Sequence, residues 1–147
     1  MELALLASGT RIYLDTNVWI YALEGYPAHA KILTRLLERI DQVDLLAVTS
    51  ELALAEALVK PLAESKAPLQ QLYEEALQSG DGLTVVPITR EVLVTAARLR
   101  AQYPALKLPD AIHAATAQAF ACSHFLTNDM RFGEVPNLIV VPLTELR

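Results

Sequence analysis

The chain has 147 residues, a length that suits a single domain over residues 1–147 and allows about two thirds of the extended surface to be buried. With 53% apolar and 20% charged residues it carries too much core-forming material for intrinsic disorder, and Glu51, Glu56 and Asp110 interrupt the most apolar runs before any reaches the roughly 18 uncharged residues of a membrane-spanning helix. A net charge of −5 argues against a generic electrostatic coat for nucleic acid, so the placement of the acids becomes the central question.

Met1-Glu2-Leu3-Ala4-Leu5-Leu6-Ala7 lacks the basic flank and the long apolar stretch of a secretion signal, and the lone Cys122 has no partner for an internal disulfide. The expectation is a cytoplasmic protein in which Cys122 is a small buried hydrophobe. Arg11 to Asp15 reads as a short strand that stops at Asp15-Thr16-Asn17, residues that favour caps and turns. A helical turn over Val18 to Leu23 follows. Beyond Gly25-Tyr26-Pro27, Ile32, Leu33, Leu36, Leu37 and Ile40 form the apolar stripe of a longer helix ending near Asp41. Leu45 to Val48 suits a buried strand, and Thr49-Ser50 offers an N-cap to a helix that carries Glu56 and runs to Lys60-Pro61.

Pro68 opens the next amphipathic helix, which ends before Ser79-Gly80-Asp81-Gly82. Leu83 to Ile88 is predicted as a strand, Thr89 as the cap of a helix terminated by Pro104, and Leu108-Pro109-Asp110 as the start of a helix that is apolar nearly all round through Cys122. Phe125 to Thr127 and Leu138 to Val141 complete five strands. Strands alternating with helices imply a mainly parallel sheet covered on both faces, an α/β/α sandwich, in which ligands collect beyond the carboxyl ends of the strands. Asp15, Glu56, Asp110 and Asp129 all have a route to that edge.

Two carboxylates about 4–5 Å apart repel by on the order of 3–4 kcal/mol at an effective dielectric of 20. A cluster of four therefore calls for positive charge. Oxygen ligands without Cys or paired His point to Mg²⁺ or Mn²⁺ rather than zinc, and the implied reaction is phosphodiester hydrolysis. Taken singly, Asp15, Asp110 and Asp129 also suit turns and helix starts. Glu56 sits between alanines on an apolar helix, where a structural role is harder to find. His113 reads as a hydrogen-bonded, half-buried histidine. Lys60, Lys107 and Arg131 flank the acids and are candidate RNA contacts, or plain solubilising charge.

Four segments in order carry a family resemblance. They are Leu14-Asp15-Thr16-Asn17, Thr49-Ser50 leading to Leu54-Ala55-Glu56, Leu108 to Ala117, and Leu126-Thr127-Asn128-Asp129 with Phe132. Together they resemble a PIN domain, particularly the VapC-type toxins of toxin–antitoxin pairs. The resemblance implies a ribonuclease dependent on Mg²⁺ or Mn²⁺, with metal centred on Asp15 and Asp110 and with Glu56 and Asp129 at the family's other acidic positions. It places Asn17 and Thr127 at supporting polar positions and implies a homodimer or higher oligomer with an antitoxin partner. The chain departs from the pattern at Arg131, where many relatives carry a further acid, which leaves the number of metal ions open.

Other readings remain. The chain could be a PIN nuclease of RNA processing outside any toxin system, or a non-catalytic RNA- or protein-binding module that keeps the fold. A third alternative makes Asp15 the phosphoryl acceptor of a haloacid-dehalogenase-like or receiver-like domain. That chemistry asks for a second acid beside the nucleophile and a lysine at a later strand end, where this chain has Asn17 and Lys107.

Overall fold

Alternate residues of the central strands feed two separate cores. Ile12 and Leu14 join one core with Leu33, Leu36, Ile40 and Ala53, while Tyr13 between them joins the other with Ala96, Leu106, Ala114 and Phe125. Ala47 and Val48, and likewise Leu126 and Phe125, divide in the same way. Successive strand side chains point to opposite faces, so a sheet that buries both parities has to be covered on both sides.

The structure, a computed structural model, describes residues 1–133 and 135–147. Its elements are β1 (Arg11–Leu14), α1 (Thr16–Leu23), α2 (Ala30–Asp41), β2 (Leu46–Ser50), α3 (Glu51–Ala63), α4 (Ala67–Ala76), β3 (Leu83–Val86), α5 (Arg90–Gln102), α6 (Leu108–Ala119), β4 (His124–Thr127) and β5 (Ile139–Pro142). All pairings are parallel, in the order β3-β2-β1-β4-β5. The core residues supplied by α1 to α4 belong to one core and those supplied by α5 and α6 to the other. The expected three-layer α/β/α sandwich with a five-stranded sheet is what forms. None of the described helices is long and apolar enough to cross a membrane.

Caps fall where the sequence places them. Ser50 Oγ accepts from Leu52 N at 3.0 Å, and Thr89 Oγ1 from Val92 N at 3.2 Å. Several boundaries shift by one to three residues, and four of the shifts have a local cause. Strand β3 ends at Val86 rather than Ile88, because Pro87 has no N–H with which to continue a ladder. Strand β2 extends through Thr49 and Ser50, which pair with Val85 and Val86. Helix α3 continues past Pro61 to Ala63, since a proline in the last turn forfeits a single bond, and Glu64 N closes the helix on Lys60 O at 3.0 Å. Helix α6 stops at Ala119 and not at Cys122: Ala121 takes φ 53°, and the N–H of Cys122 turns back to Ala117 O at 3.0 Å. Cys122 is buried as expected, and burial pushes its thiol up to about 12.

Gly82 leads into β3 at a close approach to α2. A Cβ added there would lie 2.0 Å from the Ile40 carbonyl oxygen, whereas one at Gly80 would meet nothing within 4 Å. Gly82→Ala is expected to cost about 1–3 kcal/mol of overpacking, a drop of several degrees in melting temperature for a domain of this size, with Gly80→Ala near wild type. Paired thermal melts check this, and equal melting temperatures would refute the contact.

Candidate active site at the carboxyl edge of the sheet

Chain direction across the sheet reverses at β1. From there the first crossovers lead to β2 and β3, and the chain then returns to lay β4 on β1's other edge. Loops leaving β1 and β4 therefore diverge and open a crevice, as in other open parallel sheets. Leu14 pairs with Leu126, so Asp15 and Thr127 emerge side by side. Asp15 caps α1, its Oδ1 accepting from Thr16 N at 2.8 Å, while Oδ2 accepts from the Thr127 hydroxyl at 2.6 Å. Asp15 is 5% exposed, and a carboxylate that deep needs such donors.

Thr127 passes the connection on. Its hydroxyl oxygen accepts from Asp129 N at 3.0 Å. Asp129 Oδ1 in turn accepts from Arg131 N at 3.0 Å, and the guanidinium forks onto the same carboxylate, with Nε 2.9 and 3.0 Å from the two oxygens and Nη2 on Oδ2. Nη2 also lies 3.2 Å from Asp110 Oδ2. Asp110 stands in the first turn of α6, where Pro109 starts the helix. The turn holding Asp129 and Arg131 is anchored by Phe132, fully buried against Phe125 with ring centroids 4.5 Å apart.

A second branch leads to Glu56. The His113 ring, 1% exposed, places Nε2 2.6 Å from Glu56 Oε1 and 3.7 Å from Asp15 Oδ1. Its Nδ1 is 2.5 Å from the Tyr13 hydroxyl. Burial holds the Tyr13 phenol well above its ordinary pKa, so it stays protonated and donates to Nδ1. The opposite nitrogen then donates to Glu56. Thr16 Oγ1 donates to Glu56 Oε1 as well, at 2.9 Å. All four acids thus belong to one connected set of contacts, Glu56–His113–Asp15–Thr127–Asp129–Arg131–Asp110.

Their titration is uneven. Burial raises Asp110; the Arg131 charge is the largest influence acting the other way, the neighbouring Asp129 and Asp15 charges act upward, and the group lies above its ordinary value. Asp129 is held below the ordinary carboxylate range chiefly by its bond from Arg131. At Glu56 burial acts upward, but the hydrogen bonds from His113 and from the Thr16 hydroxyl outweigh it, and the group lies below its usual value. Burial thus makes ionisation of Asp110 harder, while donors make that of Asp129 and Glu56 easier.

The donor chemistry fits a hard divalent ion: four carboxylates on one edge, with no cysteine and with the histidine already committed to Tyr13 and Glu56. Among the described residues no three of these groups form a ready-made cage. Arg131 lies between two of them instead, so an ion would have to draw the side chains together.

The remaining sequence candidates divide. Lys107 caps α6, and its charge contributes to the lowering of Asp129. Lys60 is exposed one turn beyond Glu56, and its charge acts on Glu64, away from the acids. Asn17 lies in the first turn of α1 without a hydrogen bond to any of the four among the described residues. His113 is fully buried rather than half-buried. It and Thr16 are the residues the sequence undervalued, although Thr16 follows Asp15 directly and His113 stands one helical turn beyond Asp110.

Comparison with known proteins gives a consistent picture. A family model of the PIN domain matches residues 12–138. A toxin–antitoxin complex from Klebsiella pneumoniae is 25% identical, with 87% of this chain and 95% of that chain covered and a TM-score of 0.66. VapBC2 from Rickettsia felis, bound to a DNA fragment of its promoter, is 21% identical over 90% and 98%, with a TM-score of 0.72. VapC20 of Mycobacterium tuberculosis, a sarcin–ricin loop cleaving toxin, is 16% identical over 78% and 86%, with a TM-score of 0.63. No curated sequence matches the chain.

The acids beside Arg131 should respond to pH in opposite directions in metal-free protein. A raised folded pKa means that the stability linked to Asp110 is present below the unfolded value near 3.8 and is lost as pH rises through the raised value. Asp110→Asn is thus expected to be more stable than wild type at neutral pH, the advantage vanishing in acid. Asp129 has a lowered pKa, so its contribution is present above 3.8 and lost as pH falls through the lowered value. Asp129→Asn is expected to be less stable than wild type at neutral pH and to converge with it in acid. Melts across pH in chelator test both signs, and parallel curves for the two variants would contradict the geometry.

Proposed function

Because the chain belongs to the PIN domain family, whose members include nucleases, we propose that it is a metal-dependent endoribonuclease and the toxin of a toxin–antitoxin pair. The observation that carries this reading is the linkage of Asp15, Glu56, Asp110 and Asp129 into one set of contacts beside the strand-order reversal. No purely structural need explains bringing four carboxylates from four segments to one edge.

In this reading Asp15 and Asp110 hold Mg²⁺ or Mn²⁺ directly, and Glu56 and Asp129 complete the shell, directly or through water. When bound there, such an ion would supply positive charge for a phosphodiester and lower the pKa of a water. Thr127 and Thr16 fix the Asp15 and Glu56 carboxylates by donating to them, and His113 orients Glu56. These partners limit the motion of groups whose charge would otherwise drive them apart. Asn17, in the first turn of α1, stands next to Thr16 at the family's supporting polar position. Lys107 and Arg131 provide the nearby positive charge that an overall acidic protein needs in order to meet RNA, with Lys60 farther along α3.

The family kinship and the toxin complexes among its structural relatives also support a protein partner. Val59 and Leu62 on α3 and Leu72 on α4 are exposed apolar side chains suited to cover by an antitoxin or a second copy. The reading makes the protein cytoplasmic, beside its RNA substrate.

RNA cleavage is expected only with Mg²⁺ or Mn²⁺. Asp15→Asn and Asp110→Asn should each lower it by about a hundredfold or more, since each removes a ligand charge with little change of shape. A gel assay on structured and unstructured RNAs, with and without chelator, decides this: cleavage undiminished in chelator, or wild-type rates in both variants, would overturn the proposal.

For the partners, light scattering should give a dimer or larger mass at micromolar concentration, and co-expression with the neighbouring gene product should yield a complex that suppresses cleavage. A strict monomer removes the oligomer, and failure to form the complex removes the antitoxin.

A further inference from the structure

Arg131 puts a permanent positive charge inside the acidic site. Its backbone is pinned by the turn in which Asp129 Oδ1 accepts from Arg131 N at 3.0 Å and by the buried Phe132 next to it. The side chain is 42% exposed, yet it spans two carboxylates, with Nε at 2.9 and 3.0 Å on Asp129 and Nη2 on both Asp129 and Asp110, the latter at 3.2 Å. A guanidinium does not lose its proton, and its planar fork matches carboxylate and phosphate geometry alike. Nε and Nη2 are engaged, whereas Nη1 donates to no described residue and keeps both of its N–H groups for another acceptor.

Building on the nuclease reading above, we propose that Arg131 is the resident second cation of the site: it holds the Asp110–Asp129 side, so that the chain takes a single divalent ion, and its Nη1 edge binds a phosphate oxygen of the RNA. A second divalent ion next to Asp129 would meet the guanidinium at contact distance and be repelled. One ion is attracted by what Arg131 leaves uncompensated, the Asp15 and Glu56 carboxylates and the remaining oxygen of Asp110, with Asp129, both of its oxygens on the guanidinium, reaching it only through water. The positive charge opposite the ion therefore comes from the protein and needs no recruitment from solution.

The test is Mn²⁺ binding alone, measured by titration calorimetry and native mass spectrometry, on wild type, Arg131→Ala and Arg131→Asp, with RNA cleavage as a second readout. One Mn²⁺ per wild-type chain is expected, with a second bound by Arg131→Asp. Arg131→Ala should keep at least one ion yet cleave about tenfold to a hundredfold more slowly, and Arg131→Lys should recover only part of the loss, because an ammonium lacks the fork. Two ions per chain in an active wild type, or wild-type cleavage by Arg131→Ala, would overturn the inference and leave the nuclease reading intact. Absence of Mn²⁺ binding by the wild type would overturn both.

Discussion

The pairing of β1 with β4 is the constraint on which the site depends. These strands are more than a hundred residues apart in the chain, and their register, Leu14 against Leu126, is what brings Asp15 next to Thr127. A slip of one residue would turn Tyr13 and Phe125, now stacked with ring centroids 5.0 Å apart, out of the core they share. The same slip would separate the Thr127 hydroxyl from the carboxylate it donates to. Packing of apolar rings thus sets the alignment, and the polar contacts at the strand ends inherit it.

Charge then shapes what packing assembles. Four carboxylates at one edge repel, and the chain moderates this with two different devices. On the α3 side, buried His113 and Thr16 donate to Glu56, held from behind by Tyr13 in the sheet. On the α6 side, the counter-charge is Arg131, at the surface. Exposed ion pairs contribute little to stability, so its value lies in where it fixes charge. Asp110, in contact with Arg131 at 3.2 Å, still lies above its ordinary value because burial outweighs that charge, so added positive charge beside it is favourable.

The competing chemistry of a phosphoryl-accepting aspartate loses ground on the same geometry. Asp15 has both oxygens engaged, by Thr16 N and by Thr127, and Lys107 begins a helix instead of ending a strand. Fold alone would not distinguish the two, since open α/β sheets host both.

The sequence by itself determined a great deal. Periodicity and capping gave the order and type of every strand and long helix, because amphipathic stripes and the residues Ser50, Thr89, Pro68 and Pro109 act within a few positions of themselves. It also singled out Asp15, Glu56, Asp110 and Asp129, since acids stand out in apolar segments and at strand ends. It misplaced the boundaries at Pro61, Pro87 and Ala121, where a single local bond or ladder partner settles the outcome, and it left undecided above all the contacts between segments. His113 looked like an ordinary half-buried histidine until α6 packed against β1 and placed it between Tyr13 and Glu56. Arg131 read as an RNA contact or a solubilising charge, at a position where many relatives carry an acid, and its place between Asp110 and Asp129 showed only when the turn at Asp129 closed toward α6. Both are pairings across many residues of chain, fixed by the two apolar cores and by strand order, and no local pattern encodes a distance of that kind.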